Sequence, residues 1–183
     1  MTERSLAREL AEAISSGEVV PASGWVAAVS AALAAALLAK AAKRSEGWSE
    51  SAGARAQAIE LRDRLLALAE QDALVYETAL TSLERRDAGL ARSLAKAAEV
   101  PLTIGETAAD VALLAAEAAE RADGSARADA AAAACLAAGA AQAARRLVEV
   151  NLATGPDDDR LARAGRAAEA AAEAAQQALA TEP

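Results

Sequence analysis

The sequence predicts an all-α fold, a single-domain helical bundle built around two central alanine-rich helices. Three observations carry that prediction. Two 15-residue runs, Trp25 to Ala39 and Ala130 to Ala144, hold no charged residue and are mostly alanine. Hydrophobic residues make up 54% of the chain, yet aromatics are only 2% and Phe is absent. The core must therefore be Ala, Leu and Val, a palette that favours helices over strands. Finally, Leu placement follows helical spacing between Gly and Pro breakers, with no strand pattern and no fixed-period repeat. Methyl side chains let two such helices approach closely. At 183 residues, one domain suffices, and it can bury about two-thirds of its unfolded surface.

The elements follow in order. A first helix spans about Thr2 to Ser16, with Leu6, Leu10, Ala13 and Ile14 on one face and charges opposite. SSGEVVPASG is a turn. The second helix runs from about Trp25 to Arg44, and Lys40, Lys43 and Arg44 suit the negative end of its dipole. EGWSESAG reads as a loop or a helix start. A long helix follows from about Ser51 to Arg85, its apolar side including Ile59, Leu61, Leu65, Leu68 and Val75. Asp87 to Ala98 reads as a shorter helical piece. Pro101 fits the first turn of the next helix, which stops near Asp123–Gly124. A further helix covers about Ala128 to Leu152, and Gly139 within it marks a close contact with a neighbour. TGPDDD is a turn whose acids suit a helix start, and the last helix runs from about Asp157 to Ala180.

Composition excludes several chemistries. The net charge of −8 argues against nucleic acid or an anionic membrane as partner. There is no His and one Cys, so a Ser–His–Asp triad, a Cys–His pair or a His/Cys zinc site cannot be built from one chain. Catalysis must rest on carboxylates, Lys, Tyr, hydroxyls, amides or a bound cofactor. Cys135, alone in an apolar run, reads as a buried free thiol, consistent with a reducing cytoplasm. The uncharged segment from Val19 to Ala39 is broken near its start by Pro21, Ser23 and Gly24. Its helical part is about 22 Å long, short of a ~30 Å hydrocarbon core, so no membrane span is expected. MTERSLAREL mixes acids and bases, unlike a signal peptide.

Four places hold candidate chemistry. Asp129 opens the second uncharged run. It is either a carboxylate satisfying free amides at a helix start, or a general acid/base at the mouth of a dry interior. Asp72 and Tyr76 share a helix face at i, i+4, as a partly buried Asp–Tyr pair or as substrate contacts. Pro21–Ala22–Ser23–Gly24 is either a tight turn or a set of free amides able to hold an anion or a polar ring edge. The basic ends, Lys40–Lys43–Arg44 and Arg145–Arg146, are solvated charges, or a cluster that attracts an acidic ligand.

Taken in order, several segments resemble the cyclodeaminase/cyclohydrolase family, which includes the C-terminal domain of formiminotransferase-cyclodeaminase and bacterial methenyltetrahydrofolate cyclohydrolases. SSGEVVPASGWVAAVSAALAAALLA is similar to the family's Ser-x-x-x-Pro-Thr-Pro-Gly-Gly-Gly-Ser turn and alanine-rich helix. LLALAEQDALVYETAL is similar to its Leu-x-x-x-Asp-x-x-Ala-Tyr segment. AAEVPLTIGETAADVALLAAEAA resembles its Pro-Leu helix. ADGSARADAAAAACLAAGAAQAARRLVEVNL resembles Gly-Asn-x-Asn-x-x-Ser-Asp, an apolar helix and a closing Asn-Val-x-Ile-Asn-Leu.

The resemblance implies an all-α cytoplasmic homodimer whose ligand is a small folate-like molecule. The tetrahydrofolate derivative is the substrate, and no further cofactor or metal is expected. The implied reaction closes or opens the ring bridging folate N5 and N10. A cyclodeaminase expels ammonia; a cyclohydrolase adds water. By position, the resemblance makes Asp129 the catalytic acid/base, and Ser23, Gly24, Asp72, Tyr76 and Asn151 the substrate-binding set. Pro21 and Gly24 fall on the glycine turn. Ala22 and Ser23 replace two of its glycines, and Trp25 its serine. Asp123 and Ser125 stand for two asparagines, Ala128 for a serine and Leu147 for a further asparagine. SLERRDAG stands where Lys-Leu-Pro-Lys is expected. These departures define a second expectation: a member without folate chemistry, serving as a binding protein or acting on another substrate.

Overall fold

The computed structural model describes residues 3–16, 22–45, 47–84, 96–152 and 158–181, with side chains described except at 3–5 and 76–84. Among them are six helices and no strand: α1 Glu3–Ser15, α2 Ser23–Arg44, α3 Ser51–Glu84, α4 Glu99–Arg121, α5 Gly124–Asn151 and α6 Asp159–Ala180. The fold is all-α, as the composition requires. Most of the predicted piece Asp87 to Ala98 lies outside the described residues.

The two alanine-rich helices pack on each other, and α4 lies against both of them as well as against α3 and α6. The core is largely alanine: Ala28, Ala31, Ala34 and Ala35 of α2 meet Ala130, Ala133, Ala134 and Ala137 of α5, all fully buried. Leu38, Leu65, Ile104 and Val111 fill the wider gaps. With so little side-chain volume, density comes from close backbone approach. Gly105 of α4 shows this, since a Cβ there would sit 3.3 Å from the Ala144 methyl. The close-contact glycine is thus Gly105. Gly139, expected in that role, has nothing within 4 Å of an added Cβ.

Helix ends follow from local chemistry. Gly124 has φ +46°, a left-handed conformation that costs glycine little, and α5 begins there at once, four residues before the predicted start. Asp158 caps α6 by accepting the Arg160 backbone N–H at 3.0 Å, as the acids of TGPDDD suggested. Trp48 is buried in the turn between α2 and α3. Helix α2 continues through Lys40 to Arg44, so its 22 residues are long and apolar enough to cross a membrane. Its length does not separate it from a span. Its packing identifies it as a core helix, because 56% of its most apolar stretch is buried inside the bundle.

Candidate active site

The head of α2 is capped from another helix. Ala22 at the N-cap offers no side-chain hydrogen bond, and the first turn carries no acid. Asp72, reaching across from α3, accepts the backbone N–H of Trp25 instead. Its side chain is buried. Burial pushes the carboxyl above its ordinary value, and the Trp25 N–H pulls weakly the other way. The carboxylate lies so close to Gly24 that any added Cβ would collide with both its oxygens. Gly24 is therefore needed for room. The Trp25 amide is spoken for by Asp72. Trp25 itself packs half-buried against the core and does not line the outer groove described below.

The tail of α2 carries a different carboxylate. Lys40 Nζ sits 2.8 Å from Asp129 Oδ2, with the Asp129 side chain 26% exposed. Asp129 is the sixth residue of α5, inside the helix, and Asp123 holds the N-cap position. The reading of Asp129 as a helix-start carboxylate is therefore corrected, because α5 begins before it. Nearby, Arg44 donates to Ser125 Oγ at 3.2 Å. The two basic ends do not cluster. Arg145 and Arg146 both pair with Glu149, at 3.0 and 2.9 Å, some 16 residues further along α5.

Between head and tail, α2 and α5 expose one shared face. A groove of about 670 Å³ runs along it, lined by Ser23, Val26 and Ser30 of α2, Cys135 and Gly139 of α5, and Ile14 of α1. That volume suits a small-molecule ligand. Gly139 opens this groove, having no side chain to fill it. Cys135 is a free, partly exposed thiol on its wall, where the sequence suggested full burial. Asp129 lies on the same helix side as Leu136 and Ala143, at heptad spacing, so the Lys40–Asp129 pair stands at one end of this face, about 9 Å along the axis from Cys135. Among the described residues no three His, Cys, Asp or Glu side chains cluster as metal ligands.

A model of the formiminotransferase-cyclodeaminase family matches residues 6–171. The chain belongs to this family. A solved structure of the formiminotetrahydrofolate cyclodeaminase from Thermotoga maritima has the same fold, with a TM-score of 0.81 over 97% of this chain and 93% of that one, at 21% identity. No curated protein matches the chain significantly.

The residues singled out in this cyclodeaminase-family chain do not converge within one copy. Ser23 lines the groove, and Asp129 stands at the end of the same face. Gly24 and Asp72 meet on the side of α2 turned to α3. Trp25 and Lys40 are 15 residues apart on one helix, so the two carboxylates lie roughly 22 Å apart. Asn151 donates to the Ala97 backbone carbonyl at 3.3 Å, tying the end of α5 to the start of α4. The side chain of Tyr76, and Pro21, lie outside the described residues. Sequence reasoning missed the partnership of Lys40 with Asp129, although a signal was present. Lys40 directly follows one uncharged run and Asp129 directly precedes the other. Packing those runs antiparallel brings the two charges to the same end.

Proposed function

We propose that the protein is a folate one-carbon enzyme of the formiminotetrahydrofolate cyclodeaminase type. The substrate lies along the α2/α5 groove with its N5–N10 region at the Lys40–Asp129 pair. The observation that carries this reading is the position of that pair, a carboxylate held by a lysine on the same α2/α5 face as a ligand-sized apolar groove, about 9 Å along α5 from Cys135 on its wall. Family membership supports the substrate class.

In this reading Asp129 accepts the N10 proton as N10 attacks the formimino carbon. That attack closes the N5–C–N10 ring; the proton is then returned to the exocyclic nitrogen, the C–N bond to it breaks, and ammonia leaves as a ring nitrogen's lone pair forms the methenyl double bond. Lys40 orients the carboxylate by a charge-assisted hydrogen bond. The same pair serves the cyclohydrolase direction, where Asp129 takes a proton from the water attacking the methenyl carbon. Neither route calls for a metal, and the folate is substrate rather than cofactor. Asp72 acts as a positioning residue, holding the head of α2 and with it Ser23. The free thiol of Cys135 supports a reducing, cytoplasmic setting.

The test is turnover of 5-formiminotetrahydrofolate and of 5,10-methenyltetrahydrofolate by the purified protein, with ammonia and ring state both followed. Asp129→Asn is expected to lower the rate by at least about 100-fold. The reading is overturned if neither substrate turns over and Asp129→Asn leaves folate affinity unchanged in calorimetry. One observation favours the second reading, a binding protein without folate chemistry: Asp72 and Asn151 are engaged in holding helix ends rather than facing the groove. Tight folate binding without turnover, insensitive to Asp129→Asn, is its signature.

A further inference from the structure

Helices α4 and α6 run parallel in fixed register. Arg163 donates to both oxygens of Glu106 at 3.0 Å, and Gln177 donates to Glu120 at 2.6 Å, each pair 57 residues apart in the chain. The same offset sets Asp110 opposite Ala167 and Leu113 opposite Ala170. An alanine cannot reach across, so beyond the Glu106–Arg163 bridge the helices leave a groove of about 440 Å³, walled by these residues and by Arg166. That is room for a small molecule. The groove shares no lining residue with the α2/α5 groove, and among the described residues α6 does not pack on α2.

Two opposite charges line this groove without meeting. Asp110 and Arg166 follow the Glu106–Arg163 bridge by four and three residues, so they stand within about 1.5 Å of the same height along the axes. Among the described residues neither makes an ion pair or a hydrogen bond. Arg163 is already committed to Glu106. Asp110 is exposed on its outer side. The groove still strips part of its hydration and pushes its carboxyl above the ordinary value; Arg64 of α3 opposes this, and Glu106 adds to it.

We infer that this groove is a binding site for a small zwitterion, an α-amino acid with an apolar side chain. Its ammonium donates to Asp110, its carboxylate accepts from Arg166, and its side chain lies over Leu113 and the Ala170 methyl. The two walls select both charges. A lone cation satisfies Asp110 and leaves Arg166 as it stands, and a lone anion does the reverse. An amino acid carries both charges two bonds apart. Two hydrogen bonds of about 2.9 Å with the ligand between them span roughly 9 Å, on the order of the separation of packed helix axes, about 8–10 Å. The apolar preference comes from Leu113, which is 50% exposed and faces only a methyl group across the groove. The site stands apart from the proposed folate chemistry and does not depend on it.

Titrations of the full chain followed by amide NMR shifts test this with three probes: L-leucine, L-leucinamide, which lacks the carboxylate, and N-acetyl-L-leucine, which lacks the ammonium. L-Leucine is expected to bind with a dissociation constant of about 1 mM or tighter and to shift the amides around Asp110 and Ala167. Each analogue is expected to bind about tenfold more weakly, the usual worth of a charge-assisted hydrogen bond. Asp110→Asn is expected to weaken L-leucine about tenfold and to abolish its preference over N-acetyl-L-leucine. Arg166→Gln is expected to do the same for its preference over L-leucinamide. Both positions are exposed, so the helical circular dichroism stays unchanged. Glu169→Gln, on α6 outside the groove, leaves all three affinities alone. No shifts up to about 50 mM L-leucine, or shifts confined to residues outside the groove, overturn the site. Equal binding of the three probes, or a loss in only one of the Asp110 and Arg166 variants, overturns the two-ended pairing. Folate is absent throughout, so an enzyme without turnover defeats only the functional reading, and turnover without L-leucine binding defeats only this one.

Discussion

The two ends of α2 hold one carboxylate each, and they are built oppositely. At the head, Asp72 is buried, lies against Gly24 and serves a backbone N–H. At the tail, Asp129 is partly exposed, paired with Lys40 and set at the end of an open face. The head carboxylate spends a hydrogen bond on the helix cap. A carboxylate paired through one oxygen at the solvent edge keeps its other oxygen open to a ligand. Under the proposed function, the head serves structure and the tail chemistry.

Gly24→Ala attacks the head most severely. The new methyl displaces the Asp72 carboxylate and strands the Trp25 N–H, a loss of about 2–4 kcal/mol in denaturant unfolding. Combining it with Asp72→Ala makes room, so the double variant is expected to lose clearly less than the sum of the two single losses. Additive losses would break the assigned contact.

At the tail the expected split is the reverse. Asp129→Asn costs at least about 100-fold in turnover but no more than about 1 kcal/mol of stability, because the pair with Lys40 is solvent-accessible. A large stability loss with activity retained would exchange the roles of the two ends.

Acidity sharpens the comparison further. The folded-state pKa of Asp72 is raised above its ordinary 3.8. Its stabilising contribution is therefore fully present below that ordinary value and is lost as pH rises through the folded-state pKa. Asp72→Asn is expected to flatten the stability–pH curve over that window, measured by thermal melts from about pH 4 upward. Asp158 runs with the opposite sign. Arg160 holds its carboxyl down to about 2, so its contribution is present above the ordinary value and is lost as pH falls toward 2. Asp158→Ala is expected to give the smallest change, a slight loss in Tm confined to pH values above that range.

Much of the fold was legible because its signals are local. Alanine richness, Leu spacing, Pro101 and the TGPDDD turn place the helices near their observed bounds. The misses concern contacts made across the bundle. Gly139 and Gly105 are both mid-helix glycines, and only the packing of α4 on α5 decides which one touches a neighbour. The Asp123–Gly124 break is visible in the sequence, but that α5 starts on the glycine itself is not, and this removes the helix-start alternative for Asp129. The Asp72 contact with the Trp25 backbone on another helix is invisible to helical spacing, and the side chain of Tyr76, its i, i+4 neighbour, lies outside the described residues. At the candidate site the sequence singled out Asp129 and Ser23, and it could not see that Asp72 and Asn151 hold helix ends. Such roles depend on which helices become neighbours, and alanine-rich surfaces carry little side-chain identity to announce it.

The most direct test of the division between head and tail is one assay on two variants, kcat for 5-formiminotetrahydrofolate with Asp129→Asn and with Asp72→Asn, each corrected for its folded fraction. The account predicts a loss of at least about 100-fold for Asp129→Asn and less than about tenfold for Asp72→Asn. Near-normal turnover by Asp129→Asn, with Asp72→Asn folded and inactive, would contradict it.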